Sequence, residues 1–313
     1  MSFFTTRQRC PACDCPERSV FLDLPYDSGQ VYEHLVDKYQ KRMGKFEPAC
    51  VQGERYMIAE CKSCDLLYQV QLPTAEMLTK VYSEWIDYDA ARRRDEEKRG
   101  GKINQYNYEF ALLNKWAKGK KLKVFDYGMG HGRWLEVAYV HGHTGYGYEY
   151  DAHRHYKANS LYTVLSLEEI DQHQFDFINT EQVFEHLSHP AETLHMLAKA
   201  LKPGGMLRIS VPEGITMRGK IKQDMRLDFS PYAKIPMGPL VPLQHLNCYA
   251  GRSMQIMASR AGLQPFYLPL GWLIGCKADW STPKAVMLNV LQPLKMQLLH
   301  KKVSPMRYFV KPH

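Results

Sequence analysis

The sequence predicts an α/β protein in which a mostly parallel sheet, covered by helices on both faces, follows a small cysteine-rich region. Three observations carry this. Beyond Lys121, short apolar runs alternate with helical patterns; glycines and prolines punctuate the joins; and six of the eight cysteines lie before residue 65. Strands separated by helices pair in parallel, because each crossover returns the chain to the same end of the sheet. At 313 residues the chain is long enough for one large core and a smaller satellite.

Residues 1–75 are short of long periodic segments. Residues 76–120 read as mostly helical. AEMLTKVYSEW spaces its apolar residues as a helix does, and YNYEFALLNKWAKG closes with Lys118 and Gly119 at a C-cap. The run ARRRDEEKRGGK between them reads as a solvated helix end and turn, with a nucleic-acid arm as the alternative. KLKVFDYG is then a first strand, RWLEVAYVHGH a helix closing at Gly142, TGYGYEYD a second strand and DAHRHYKANS a short helix. LYTVLSLEE reads as a third strand and FDFINTEQVF as a fourth. HPAETLHMLAKALKPGG reads as a helix stopped by Pro203, and MLRISVP as a fifth strand. After Pro212 the regularity fails for about thirty residues, as in a lid or binding loop. SMQIMASRAGL resumes as a helix, QPFYLPLG as a strand, AVMLNVLQPLKMQLLHKK as a helix and MRYFVKP as a final strand. The last two strands suit an antiparallel pair at the sheet edge.

The balance of 41 basic and 33 acidic residues leaves +8, which suits anionic substrates, although the excess is diffuse. No stretch reaches the length of a membrane span, and MSFFTTRQRC lacks the apolar segment of a secretory signal. The expected location is therefore cytoplasmic, where clustered cysteines argue for metal rather than disulfides.

Gly128, Gly130 and Gly132 follow the first strand and precede a helix, a context in which small residues let a ligand approach the backbone. Asp126 stands at the strand end, where a pyrophosphate would be repelled and an ammonium group attracted. Nineteen residues after Gly130, Glu149 ends the second strand, placed to accept from both hydroxyls of a ribose. Two such acids suit S-adenosylmethionine, whose one end is zwitterionic and whose other carries a free ribose. DYGMGHGRW resembles motif I of the class I S-adenosylmethionine-dependent methyltransferases. FDFINTEQVFEHLSHP resembles their fourth-strand motif, and LKPGGMLRISVP their approach to the fifth strand. The resemblance implies a Rossmann-like, seven-stranded, mostly parallel sheet over 121–313. It implies that Asp126, Gly128 and Gly130 line the methionine end and that Glu149 binds the ribose. Leu165 and Ser166 then border the adenine, and Gln182 lies near the amino-acid part. Met129 departs from the small or acidic residue usual there; its side chain can turn away.

CPAC at 10–13 and CKSC at 61–64 are two C-x-x-C knuckles whose four thiolates, Cys10, Cys13, Cys61 and Cys64, can close a tetrahedral shell around zinc. A closed shell leaves no position for substrate, so such zinc is structural and holds together a region poor in apolar residues. Cys15 and Cys50 offer further thiolates but make no matching pair. CKSCDLLYQVQLPTAEMLTKVYSEWIDY resembles the end of the zinc-binding N-terminal region that precedes the core in sugar C-methyltransferases and methyltransferase-23-like families. That resemblance implies an active-site tyrosine at Tyr82 or Tyr88, and a reaction in which a base removes a proton beside a sugar carbonyl.

His186, after the fourth strand and next to Glu185, has the chemistry of a base near neutral pH, as does His245 in PLQHLNCY. His245 is the first choice. It resembles a family position preceded by glutamate, and here Gln244 takes that place, which weakens C-methylation. Tyr249, four residues on, shares its face if a helix has begun. Arg218, Lys220, Lys222 and Arg226 in the irregular stretch suit a phosphate-bearing acceptor, or form a solvated loop. His153, Arg154 and His155 read as a helix start near the ribose. The reading is an S-adenosylmethionine-dependent methyltransferase of a small molecule, a sugar or nucleotide-linked sugar. RNA is the competing acceptor, disfavoured by the lack of a basic stripe interleaved with aromatics. A non-catalytic zinc-scaffolded module is a third reading, against which both donor-binding acids speak.

Overall fold

A computed structural model describes residues 2–87, 93, 97, 99–150, 160–212, 214, 238–276 and 306–313. The chain divides into two units. One takes Met1–Ala91, Gln182–Ala191 and Val211–Met257; the other takes Arg92–Glu181, Glu192–Ser210 and Ala258–His313.

In the first unit, β1 (Phe4–Thr6) pairs antiparallel with β5 (Gln71–Pro73). β2 (Arg18–Pro25), β3 (Arg55–Cys61), β4 (Leu67–Gln69) and β11 (Asn247–Cys248) form an antiparallel sheet in the order β11-β4-β3-β2. Helix α1 (Gly29–Leu35) runs into a wider turn over Val36–Lys41. Helix α2 (Ala75–Thr79) likewise runs into Lys80–Trp85. Thr74 caps α2, its side chain accepting from the Met77 N–H. Trp85, wholly buried, takes Tyr39 and Phe46 edge-on at 5.4 and 5.3 Å. These rings share one core with Tyr26, Tyr56 and, from far along the chain, Leu240 and Leu243. The core of this region is thus not drawn from residues 1–75 alone. The missing core residues come from 77–86 and 240–248, which a window over 1–75 does not include.

The second unit carries seven strands in the order β12-β13-β10-β9-β6-β7-β8. They are β6 (Lys123–Tyr127), β7 (Thr144–Tyr148), β8 (Tyr162–Val164), β9 (Phe175–Glu181), β10 (Leu201–Ser210), β12 (Gln264–Phe266) and β13 (Met306–Val310). β8, β7, β6, β9 and β10 are parallel, while β13 runs antiparallel to both β10 and β12. The predicted antiparallel pair at the sheet edge is thus present. Helices α3 (Arg99–Ala117), α4 (Arg133–Val140), α5 (Pro190–Ala200), α6 (Gly251–Arg260) and α7 (Leu270–Gly275) punctuate the strands.

Two elements differ from expectation. The third strand stops at Val164, because Ser166 and Glu169 form a reciprocal cap that opens a 3-10 turn over Leu167–Gln172. The helix expected to be stopped by Pro203 ends at Ala200, and the strand expected to begin at Met206 begins at Leu201, with Lys202–Gly205 an irregular entry into β10 before regular pairing begins at Met206. The helix at 285–302, the short helix after Asp151, Tyr88, the His153–His155 cluster and the basic residues Arg218, Lys220, Lys222 and Arg226 lie outside the described residues. The strand order reverses between β6 and β9, and in open sheets of this kind ligands bind beyond the carboxyl ends of the strands at such a point.

Candidate active site

Asp126 stands on β6 at this reversal, 4% exposed. Its Oδ1 accepts from Asn179 Nδ2 at 2.8 Å, and Asn179 Oδ1 accepts from Arg208 Nη1 at 2.6 Å. Arg208 Nη2 donates to Glu109 Oε1 at 2.6 Å, and Trp134 Nε1 donates to Glu109 Oε2 at 3.3 Å. A buried polar chain therefore runs from β6 through β9 and β10 to α3. Burial pushes the Asp126 carboxyl up to about 8, against the downward pull of the Asn179 bond. Burial also raises Glu109, with Arg208 opposing it. For Arg208, burial works against the charge, but Glu109, Tyr308, Glu181 and Asp126 together outweigh it and the guanidinium is held above its ordinary value.

Glu181 ends β9. Its Oε1 accepts from Lys102 Nζ at 2.6 Å, and its Oε2 lies 3.6 Å from Arg208 Nη1. Glu109, Asn179, Glu181 and Arg208 were all missed by sequence reasoning. The signal was present in MLRISVP and FDFINTE, where an arginine and an asparagine interrupt strands that are otherwise buried. A cation inside a sheet requires buried counter-charges.

The glycine loop turns at Gly128, Gly130 and Gly132, with φ of 81°, 54° and 73°. The N–H groups of Gly128 and Met129 donate to the Tyr148 carbonyl at 2.8 and 3.0 Å, pinning the loop to the end of β7. Gly130 N–H donates to Glu149 Oε2 at 2.8 Å, so loop and acid are held together. Met129 is buried against Gly147, where an added Cβ would meet its Sδ at 2.3 Å. The side chain has turned inward to the core, and a glycine makes room for it. Leu165 is buried and its N–H donates to the Gly147 carbonyl at 2.8 Å. Ser166 is exposed and caps the following turn. Gln182, exposed, follows β9 with φ of 56°.

The first unit gathers three of the predicted acid–base residues. His186 Nδ1 lies 2.9 Å from the Tyr82 hydroxyl and 2.9 Å from the Gln244 carbonyl. The His186 and His245 rings meet edge-on at 4.7 Å. Glu185 is 1% exposed, its Oε1 3.8 Å from His186 Nε2. Burial, with His186 and Lys38 nearby, lowers His245 to about 3. Lys38, itself lowered to about 8 by burial and Arg42, hydrogen-bonds to the Gln244 side chain. Tyr249 stands apart from this trio. Fully buried, its hydroxyl donates to the Phe184 carbonyl at 3.2 Å, and burial raises it well above the ordinary range.

Cys10, Cys13, Cys61 and Cys64 are all buried, with sulfurs within 4.8 Å of one another. Two sulfur pairs, Cys10–Cys64 and Cys13–Cys61, lie at 3.5 Å. A tetrahedron with zinc–sulfur bonds of about 2.3 Å has edges of about 3.8 Å, so the set fits a zinc ion. The knuckles repeat each other. Asp14 N–H donates to the Cys10 carbonyl and Asp65 N–H to the Cys61 carbonyl, and both aspartates are left-handed, with φ of 63° and 64°. Both stretches read C-x-x-C-D, a repeat visible in the sequence. Neither Cys15 nor Cys50 joins the set.

A parallel sheet with this reversal, a glycine loop after β6 and an acid after β7 define a class I S-adenosylmethionine-dependent methyltransferase. The chain belongs to the family described as a methyltransferase domain, whose model matches residues 96–267. It is an enzyme of that class, and S-adenosylmethionine is its methyl donor. No curated protein matches the chain. Among solved structures it is similar to the plantazolicin methyltransferase BamL in complex with a triazolic desmethylPZN analog and SAH. The identity is 12%, with 75% of this chain and 94% of that one covered and a TM-score of 0.49. It is also similar to the cyclopropane synthase MmaA2 from Mycobacterium tuberculosis, at 14% identity, 61% and 78% coverage and a TM-score of 0.39. An S-adenosylmethionine-dependent methyltransferase from Mesorhizobium loti matches at 15% identity, 61% and 92% coverage and a TM-score of 0.40. Among the described residues, no helix is long and apolar enough to cross a membrane.

Proposed function

We propose that the enzyme methylates a small molecule, a sugar or a nucleotide-linked sugar, at a hydroxyl oxygen or at a carbon beside a carbonyl. The observation that supports this reading most is the meeting of Tyr82, His186 and His245, drawn from three separate stretches of chain. Methylation of such an acceptor is an in-line displacement. The acceptor atom forms a bond to the methyl carbon, the carbon–sulfur bond breaks with its electron pair going to sulfur, and a proton leaves the acceptor. The bound donor supplies the electrophilic methyl group. Asp126 and Glu181 are suited to its ammonium end, and Glu149 to its ribose.

The proton goes to His186. His245, the first choice from sequence, is held at about 3 and is a weak proton acceptor at neutral pH. His186 Nδ1 faces the Gln244 carbonyl, which only accepts, so Nδ1 carries a proton and Nε2 the basic lone pair. Tyr82 positions this cluster rather than exchanging protons, and Tyr249, bonded to the Phe184 carbonyl, takes no part in it. The cytoplasm is the proposed location, and the four thiolates hold one structural zinc.

The test is turnover of S-adenosylmethionine with nucleotide-linked sugars bearing a free hydroxyl or a ketone. Product S-adenosylhomocysteine is expected with at least one of them, and its absence with all of them overturns the acceptor class. His186→Ala should lower turnover by roughly 10²-fold or more while leaving donor affinity within a few-fold. Unchanged turnover removes His186 from proton transfer.

A further inference from the structure

Three side chains of the first unit turn their ligating atoms toward one another. The donor atoms of Glu185, His186 and His245 all lie within 4.8 Å. The His186 imidazole is oriented from its far side. His186 Nδ1 is bonded to the Gln244 carbonyl at 2.9 Å, which directs Nε2 toward Glu185 Oε1 at 3.8 Å. His245 Nδ1 is buried with no hydrogen-bond partner among the described residues. Histidines that bind metals characteristically give their second N–H to a backbone carbonyl or carboxylate, which fixes the tautomer and aims the lone pair. The His186 ring is held in that way.

We propose that Glu185, His186 and His245 form a second metal site, for a divalent transition ion such as Zn²⁺ or Co²⁺, sharing no residue with the four-thiolate set. Two imidazole nitrogens and one carboxylate suit ions of this borderline kind, not the oxygen-seeking Mg²⁺ or Ca²⁺. The carboxylate of Glu185, 1% exposed, supplies the negative charge that a buried dication requires. Lys38, the cation facing His245, is tied to the Gln244 side chain. Filling the site takes the His186 lone pair that proton removal needs. The ion is therefore an off-switch, and that second half alone rests on the base assigned to His186 above.

The test uses the full chain, stripped and reloaded with Co²⁺. Thiolate ligation gives intense sulfur-to-metal charge-transfer absorption, and nitrogen–oxygen ligation does not. The expected result is a second equivalent bound without that absorption, lost in both His245→Ala and Glu185→Gln. Uptake of a single equivalent by the unsubstituted protein overturns the site, as does a second equivalent that both variants retain. Turnover should fall at least tenfold as the second equivalent binds. Full turnover with the site filled overturns the base role of His186 and leaves the metal site standing, so the two readings fail separately.

Discussion

Asp126 keeps its proton through the neutral range because burial lifts it to about 8, whereas in an unfolded chain it ionises near 4. Between those values the folded form holds more protons than the unfolded one, so stability falls as pH rises through that window and is fullest on its acid side. The amide of Asp126→Asn has no proton to hold, so this slope should be absent from denaturant titrations run between pH 5 and 8. Donor binding has the opposite sign. An ammonium group favours the ionised carboxylate, so binding below pH 8 should release a proton and tighten as pH rises, by at most tenfold per pH unit. Calorimetry in two buffers of different ionisation enthalpy measures that proton directly, and Asp126→Asn should release none. The position of Asp126 was legible from the strand end before the glycines, but its protonation was not. That comes from burial in the folded sheet, which outweighs the opposing pull of Asn179, 53 residues away, and of Arg208, and burial is set by the tertiary fold.

At the scale of elements, the turn from β6 to α4 shows why three glycines sit where they do. Gly132 has φ of 73°, and an added Cβ there would lie 2.1 Å from the Tyr162 hydroxyl of β8. Gly132→Ala combines left-handed strain with a collision against a buried ring, and should cost about 1–3 kcal/mol in chemical denaturation. The glycine spacing disclosed the turn, but not that a ring of β8 lies beneath it. Strand and helix order was readable wherever apolar periodicity was clean, as in β6, α4, β7 and β9. It failed at Ser166–Glu169, where a capping pair halts the strand, and at Lys202–Gly205, where proline and glycines open a strand rather than close a helix. In both places side-chain or turn chemistry outweighs hydrophobic pattern.

The whole molecule joins two units that each carry their own core. On the assignments proposed above, a metal held by Cys10, Cys13, Cys61 and Cys64 would stabilise the unit that contains them, and a donor held by Asp126, Glu149 and Glu181 the other. Calorimetric scans should therefore show two transitions. A chelator should lower one by several degrees or more and leave unchanged the one that the donor raises. A single transition moved equally by both agents would show instead that the units unfold as one. The two C-x-x-C knuckles were plain in the sequence, because two thiol pairs at that spacing are the pattern of a tetrahedral metal site. The core around Trp85 was not, since part of it arrives 150 residues later.

That late arrival has a consequence for how the protein can be taken apart. Strand β11, at Asn247–Cys248, completes the four-stranded sheet begun near the amino terminus, with the Gln182–Ala191 stretch belonging to the same unit. No single cut along the chain frees a self-sufficient amino-terminal piece. Any shortened fragment ending before Asn247 carries a raw sheet edge in place of its last strand, and would need to borrow that strand from elsewhere.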